Sequence, residues 1–164
     1  MKKVDDIIAF TDGSFSKTKG TVTKCGYGVY FPNGEIENIS RPFTFGDPTN
    51  QRAELYAIYK AIKAIVNECD FQTINLYTDS EYSIKSLTIW INNWKKNGWK
   101  NSKKEDVANQ DIIKKIDKYL MLYKNKIFFH HARSHTGKKD EISKGNEMAD
   151  YLARESGTFG TRVH

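Results

Sequence analysis

The chain predicts an α/β domain built on a mixed sheet of five strands, the first three antiparallel, with helices laid on its faces. Three observations predict it. Three strand-like runs open the chain, around Ile7–Asp12, Gly26–Phe31 and Glu35–Phe45, the last two joined by the turn residues Pro32-Asn33-Gly34. From Asn50 onward the apolar residues switch to three-and-four spacing. Strands and helical stretches then alternate, in the order βββαβα(α)αβα.

Each element has a local reason. Ile7 to Phe10 is continuously apolar, as expected of a strand buried on both faces, and it stops on Asp12 with Gly13-Ser14 breaking the run. A polar turn is expected over residues 14–23. Gly46-Asp47-Pro48 closes the third strand, and Thr49 or Asn50 caps a helix whose inner stripe is Leu55, Ile58, Ile62, Ile65 and Val66. Ile74–Asp79 repeats the opening pattern, an apolar strand ending in Thr-Asp. A short helix follows, capped by Asp79 or Ser80, then a helical segment over 89–96 stopped by Asn97-Gly98. Residues 107–123 read as a helix with Ile112, Ile113, Ile116, Leu120 and Tyr123 inward and Asp106 as its cap. Ile127–His131 reads as the last strand, 133–145 as a polar loop, and 146–155 as the last helix. The tail is expected from Ser156.

A length of 164 residues with 38% hydrophobic and 13% aromatic content suits one globular domain, here 1–155, and excludes a disordered chain. The net charge of +6 favours a polyanionic partner. Cys25 and Cys69 form no CxxC pair, so two reduced, packed thiols are expected. No run approaches the ~20 apolar residues of a membrane span, and the start has no signal-peptide core, so the expectation is an intracellular, cytoplasmic monomer.

Four acids stand out: Asp12 and Asp79 at strand ends, Glu54 early in the first helix and Asp150 in the last. Singly, each reads as an ordinary strand-end or helix acid. Jointly, clustered carboxylates repel and raise one another's pKa unless a cation intervenes. Hard oxygen ligands suit Mg²⁺, with Mn²⁺ possible, and two such ions would stabilise the attacking and leaving oxygens of a phosphodiester.

Thr-Asp-Gly-Ser (11–14), Thr-Asn-Gln-Arg-Ala-Glu-Leu (49–55), Tyr-Thr-Asp-Ser (77–80) and Gly-Asn-Glu-Met-Ala-Asp-Tyr-Leu-Ala-Arg (145–154) resemble, in order and spacing, the type 1 ribonuclease H family. The resemblance implies a ribonuclease H-like fold, with three antiparallel strands, two parallel additions and helices on both faces. It implies endonucleolytic hydrolysis of the RNA strand of RNA–DNA hybrids by two metal ions, leaving 3′-hydroxyl and 5′-phosphate ends. Asp12 would bridge both ions, Asp79 would complete the site on the nucleophile side, and Glu54 and Asp150 the other. His135, in Arg-Ser-His-Thr-Gly, matches the family's loop histidine that assists proton transfer and product release; its fourteen-residue separation from Asp150 is longer than the family often shows.

By the same resemblance Asn50 and Gln51 reach the minor groove, Ser14 and Ser16 contact ribose, and Thr49 with Asn109 forms a phosphate pocket on the DNA strand. Glu81 departs from the Gln or Met of the family. Trp90, Trp94 and Trp99, interleaved with Lys95, Lys96, Lys100, Lys103 and Lys104, form a basic protrusion over about 89–104, lining a DNA channel with Tyr82. No separate hybrid-binding domain is read. Two other classes fit less of the pattern: an integrase, transposase or resolvase on the same architecture, which lacks the Thr-Asn-Gln-Arg-Ala-Glu helix start and the protrusion, and a hybrid-binding module that has lost turnover.

Overall fold

A computed structural model describes residues 1–132 and 140–156. Five strands, β1 (Lys2–Thr18), β2 (Thr21–Tyr30), β3 (Ile39–Pro42), β4 (Cys69–Thr78) and β5 (Ile127–His131), form one sheet in the order β3-β2-β1-β4-β5. β1 to β3 are antiparallel, and β4 and β5 add parallel to β1. The helices are α1 (Asn50–Glu68), α2 (Glu81–Lys85), α3 (Ile91–Asn97), α4 (Gln110–Leu122) and α5 (Glu141–Ser156). A π-helical turn, Ser86–Trp90, joins α2 to α3. This is the mixed five-stranded sheet that the element order predicts.

Alternation along β1 decides which helix covers which face. Ile7 and Ala9 are fully buried in the core with Leu55, Ile58, Ile62 and Ile65 of α1 and Ile112, Ile113 and Ile116 of α4. Phe10 turns the other way, beneath α5. There it sits in an aromatic row that crosses four strands: Tyr30–Phe10 at 6.2 Å, Phe10–Tyr77 at 4.9 Å and Tyr77–His130 at 4.6 Å between ring centroids. Of the two β5 histidines, His130 is the one that packs, its Nε2 3.0 Å from Asn75 Oδ1.

Several boundaries differ from the sequence expectation for physical reasons. Gly13-Ser14 does not end β1, which runs on to Thr18 because β2 pairs with it through Ser16↔Lys24 and, past a bulge, Thr18↔Thr21. Gly13 is required for proximity instead: a Cβ there would lie 2.7 Å from the backbone nitrogen of Glu54. β3 is shorter than predicted, since the Asn38 side chain rather than a strand backbone accepts from Phe31 N–H at 2.9 Å. Asp106 caps nothing; it pairs with Lys100, and α4 starts after Asn109, which has φ 66°. Residues 141–145, predicted as loop, are the first turn of α5. Gly145 fits there because Phe10 fills the space a Cβ would take, at 2.3 Å. Ser156, predicted as tail, ends α5 and is buried.

Candidate active site

β1 and β4 are neighbours and parallel, and Phe10 pairs with Tyr77. Asp12 and Asp79 follow two residues later on each strand, so the register sets the two carboxylates side by side. The second turn of α1 supplies Glu54, brought against β1 by the missing side chain at Gly13. One backbone amide ties the group: Gly13 N–H donates to Asp12 Oδ1 and to Glu54 Oε1, each at 2.9 Å. Asp12, Glu54 and Asp79 each offer a carboxylate oxygen within 4.8 Å of the others.

No lysine or arginine among the described residues forms an ion pair with these three. Burial, first, and then the neighbouring carboxylates push Asp12 far above the usual carboxylate range. Burial raises Glu54 as well, against the lowering effect of its hydrogen bonds to Asp12 and Gly13. Asp79 is raised by burial and by Asp150, opposed by a hydrogen bond from the Asn146 side chain and by the charge of His131. The second oxygen of Glu54, Oε2, is buried with no hydrogen-bond partner among the described residues. A buried, unsatisfied carboxylate oxygen is costly. Its position within an all-oxygen, all-anionic donor set fits a hard divalent cation.

Asp150 stands beside this trio without joining it. Its charge raises Asp12, Glu54 and Asp79, but its Oδ2 accepts from Arg154 Nε at 3.1 Å, one turn along α5. Close packing delivers α5 to this place, because a Cβ on Gly28, which pairs with Asp12, would lie 2.6 Å from Ala153 N. Of the four acids expected to converge, the structure places three within 4.8 Å of one another and the fourth beside them. His135 lies outside the described residues.

The predicted substrate contacts fall into three groups. Ser14 and Ser16 share the face of Asp12 along β1, since strand side chains repeat every second residue. Thr49 caps α1, its Oγ1 accepting from Arg52 N–H at 3.1 Å, while Asn50 and Gln51 lie exposed in the first turn. Asn109 joins them across the fold: its Nδ2 donates to Tyr82 OH at 2.9 Å and to Gln51 Oε1 at 3.4 Å. On the protrusion, Tyr82, Trp90, Trp94 and Trp99 follow one another at 6.1, 6.0 and 6.1 Å. Lys95 is bound to Asp117 at 2.9 Å and Lys100 to Asp106; Lys96 is exposed, with no ion pair among the described residues. Glu81 is exposed and turned to Lys85 at 3.8 Å.

Two residues that sequence reasoning left unassigned organise these groups. Arg52 is buried and chelates Asp111 at 2.8 and 2.9 Å, donates to the Phe45 carbonyl at 2.9 Å and reaches Asn109 Oδ1 at 3.5 Å. It fixes the end of α4 that carries Asn109. Asn146, also buried, holds Asp79. Both stand inside the motifs quoted above, between more conspicuous acids.

A ribonuclease H family profile matches residues 4–157. The chain is 39% identical over 152 residues to a ribonuclease H of Syntrophomonas wolfei, covering 92% of this chain and 95% of that one. It is also 39% identical over 139 residues to a probable ribonuclease H of Acanthamoeba polyphaga mimivirus, covering 84% of this chain but only 60% of that protein. Among solved structures, a foamy viral protease-reverse transcriptase in complex with an RNA/DNA hybrid superposes with a TM-score of 0.71 at 27% identity, over 91% of this chain and 19% of that one. By sequence and by fold together, the chain belongs to the ribonuclease H family.

Proposed function

We propose that this chain is an endoribonuclease that hydrolyses the RNA strand of RNA–DNA hybrids, leaving 3′-hydroxyl and 5′-phosphate ends. One observation carries the reading: three clustered carboxylates with no ion pair among the described residues, two at the adjoining ends of parallel central strands and the third, Glu54, with a buried oxygen that has no partner among those residues. Asp12, Glu54 and Asp79 would hold divalent metal, Mg²⁺ in preference, with Asp150 as a further ligand. When bound, two such ions supply Lewis-acid stabilisation to the attacking and leaving oxygens of the scissile phosphate.

The chain's own residues do the rest. Gly13 N–H and Asn146 hold the carboxylates in place before substrate arrives, so little reorganisation is left for the reaction. Ser14 and Ser16 extend the same face toward the ribose of the RNA strand, and Gln51 presents an amide that can both donate and accept. Asn109 and Thr49, tied through Arg52, offer polar groups to a phosphate of the DNA strand. The tryptophan ladder gives that strand a surface for sugars and bases. Discrimination then rests on 2′-hydroxyls read on one strand and their absence on the other.

The test is cleavage of a labelled hybrid with Mg²⁺, beside double-stranded RNA, double-stranded DNA and a duplex with a single ribonucleotide. Internal cuts confined to the RNA of the hybrid are expected, with Asp79→Asn inactive yet still binding. Hybrid binding with no cutting by the wild type would make the chain a binding module instead.

A further inference from the structure

A second charged site lies on the flank of the molecule, away from the acids. Between the outer side of α1 and strand β3 is an open cleft of about 260 Å³, into which Arg41, Lys60, Lys63 and Asn67 project over a floor of Tyr27 and Ala64. No acidic side chain lines it, and none of the three cations has an ion pair among the described residues. Elsewhere Arg52 pairs with Asp111, Lys95 with Asp117 and Lys100 with Asp106. Within the cleft, burial and then the charges of Lys63 and Arg41 hold the Lys60 ammonium below its ordinary range. Like charges gathered in a concave place weaken the fold unless an anion joins them.

We propose that this cleft binds a phosphomonoester group. Three cations with no counter-charge call for a multivalent anion. A phosphomonoester carries about −1.5 to −2 at neutral pH, against −1 for each internal phosphodiester. Asn67 and the lysines supply donors around it, and Arg41 can offer two parallel N–H bonds. The site is separate from the carboxylates, because Lys60 and Lys63 lie roughly 9 and 13 Å beyond Glu54 along α1 at 1.5 Å per residue.

The probes are inorganic phosphate and adenosine 5′-monophosphate, titrated by calorimetry without divalent metal, beside adenosine and matched NaCl. Saturable one-site binding of both phosphates, absent for adenosine and NaCl, is expected. It should weaken at least tenfold in the Lys60→Gln/Lys63→Gln double variant and in Arg41→Gln, which sits on a different element and guards against a folding defect in the first. Hybrid cleavage by both variants should stay within twofold of wild type. Equal binding by wild type and both variants, or a response that NaCl reproduces, would overturn the site. Competition by an intact 5′-hydroxyl hybrid as strong as that of the mononucleotide would assign the cleft to the duplex backbone and sink the phosphomonoester reading.

Discussion

Two charged regions of this molecule, the acid cluster and the protrusion, are built on opposite terms. At the ends of β1 and β4 three carboxylates are gathered with no lysine or arginine paired to them among the described residues, so they repel one another. On the protrusion the lysines are sorted: Lys95 and Lys100 are neutralised by Asp117 and Asp106, while Lys96 stays open. The first arrangement destabilises the protein until a ligand arrives; the second stabilises it before one does. A charge cluster in a sequence is therefore not one kind of object. What decides its role is whether the fold supplies the counter-ion.

Removing one acid gives the sharpest test of that contrast. Asp12→Asn should lower hybrid cleavage by roughly 10³-fold or more, since an inward ligand of the site is lost. The same change should stabilise the metal-free protein by roughly 1–2 kcal/mol, about 4 °C in melting temperature, because a buried repulsive charge disappears. Circular dichroism melts in chelator measure it. A lower melting temperature for the variant would mean that Asp12 is compensated after all.

Arg52 is the counter-case, a buried cation whose charge the fold pairs with a carboxylate. Arg52→Gln breaks the bidentate pair with Asp111 and the bond to the Phe45 carbonyl. A loss of roughly 1–2 kcal/mol is expected by urea denaturation, from the lost hydrogen bonds, since Asp111 is half exposed and is not left as a buried charge. Arg52→Lys should recover only part of it, lacking the two-pronged geometry. Hybrid KM should rise in both, because Asn109 loses its support.

The acid cluster also sets a pH dependence. Asp12, Glu54 and Asp79 have folded pKa values raised above their unfolded ones. Their contribution to stability is thus fully present below about pH 4 and is lost as pH rises through the folded values. Asp111 and Asp106 are shifted the other way by Arg52 and Lys100, so the wild-type curve alone is ambiguous. The difference between wild type and Asp12→Asn removes that background. It should be near zero at pH 4 and widen toward pH 8. Mg²⁺ should raise the wild-type melting temperature more at pH 8 than at pH 5. An equal rise at both would separate metal binding from the release of these protons.

Much of this was legible in the sequence, for reasons that are local. Apolar runs ending on Asp12 and Asp79, and the three-and-four stripe of α1, follow directly from the periods of strand and helix. What escaped depends on contacts between distant segments. Gly13 looked like a strand breaker, and only the backbone of Glu54, forty-one residues on, explains it. Gly145 looked like a loop residue because its partner, Phe10, lies at the other end of the chain. Asp106 looked like a cap until Lys100 folded back on it. Arg52 and Asn146 gave no signal beyond their motifs, since their partners Asp111 and Asp79 sit on other elements. Asp150 was read as a ligand beside Glu54, and its pairing with Arg154 one turn along α5 is a contact the motif alone did not signal.

The smallest predicted effect separates the lysines of the protrusion from one another. If Lys96 grips a phosphate, Lys96→Ala should weaken hybrid binding and reduce the slope of log K against log salt by about one. Its melting temperature should not change, because Lys96 has no ion pair among the described residues. Lys95→Ala should do the reverse: it strands Asp117, whose side chain is only 12% exposed, and should lower stability by roughly 1 kcal/mol while leaving the salt slope nearly intact. Fluorescence anisotropy of a labelled hybrid over a salt series, in Ca²⁺ to prevent cutting, reads the first quantity, and urea denaturation the second. Equal salt slopes for the two variants would mean that Lys95 leaves Asp117 for the nucleic acid on binding, so that the acid on α4 stores the lysine rather than spending it on the fold.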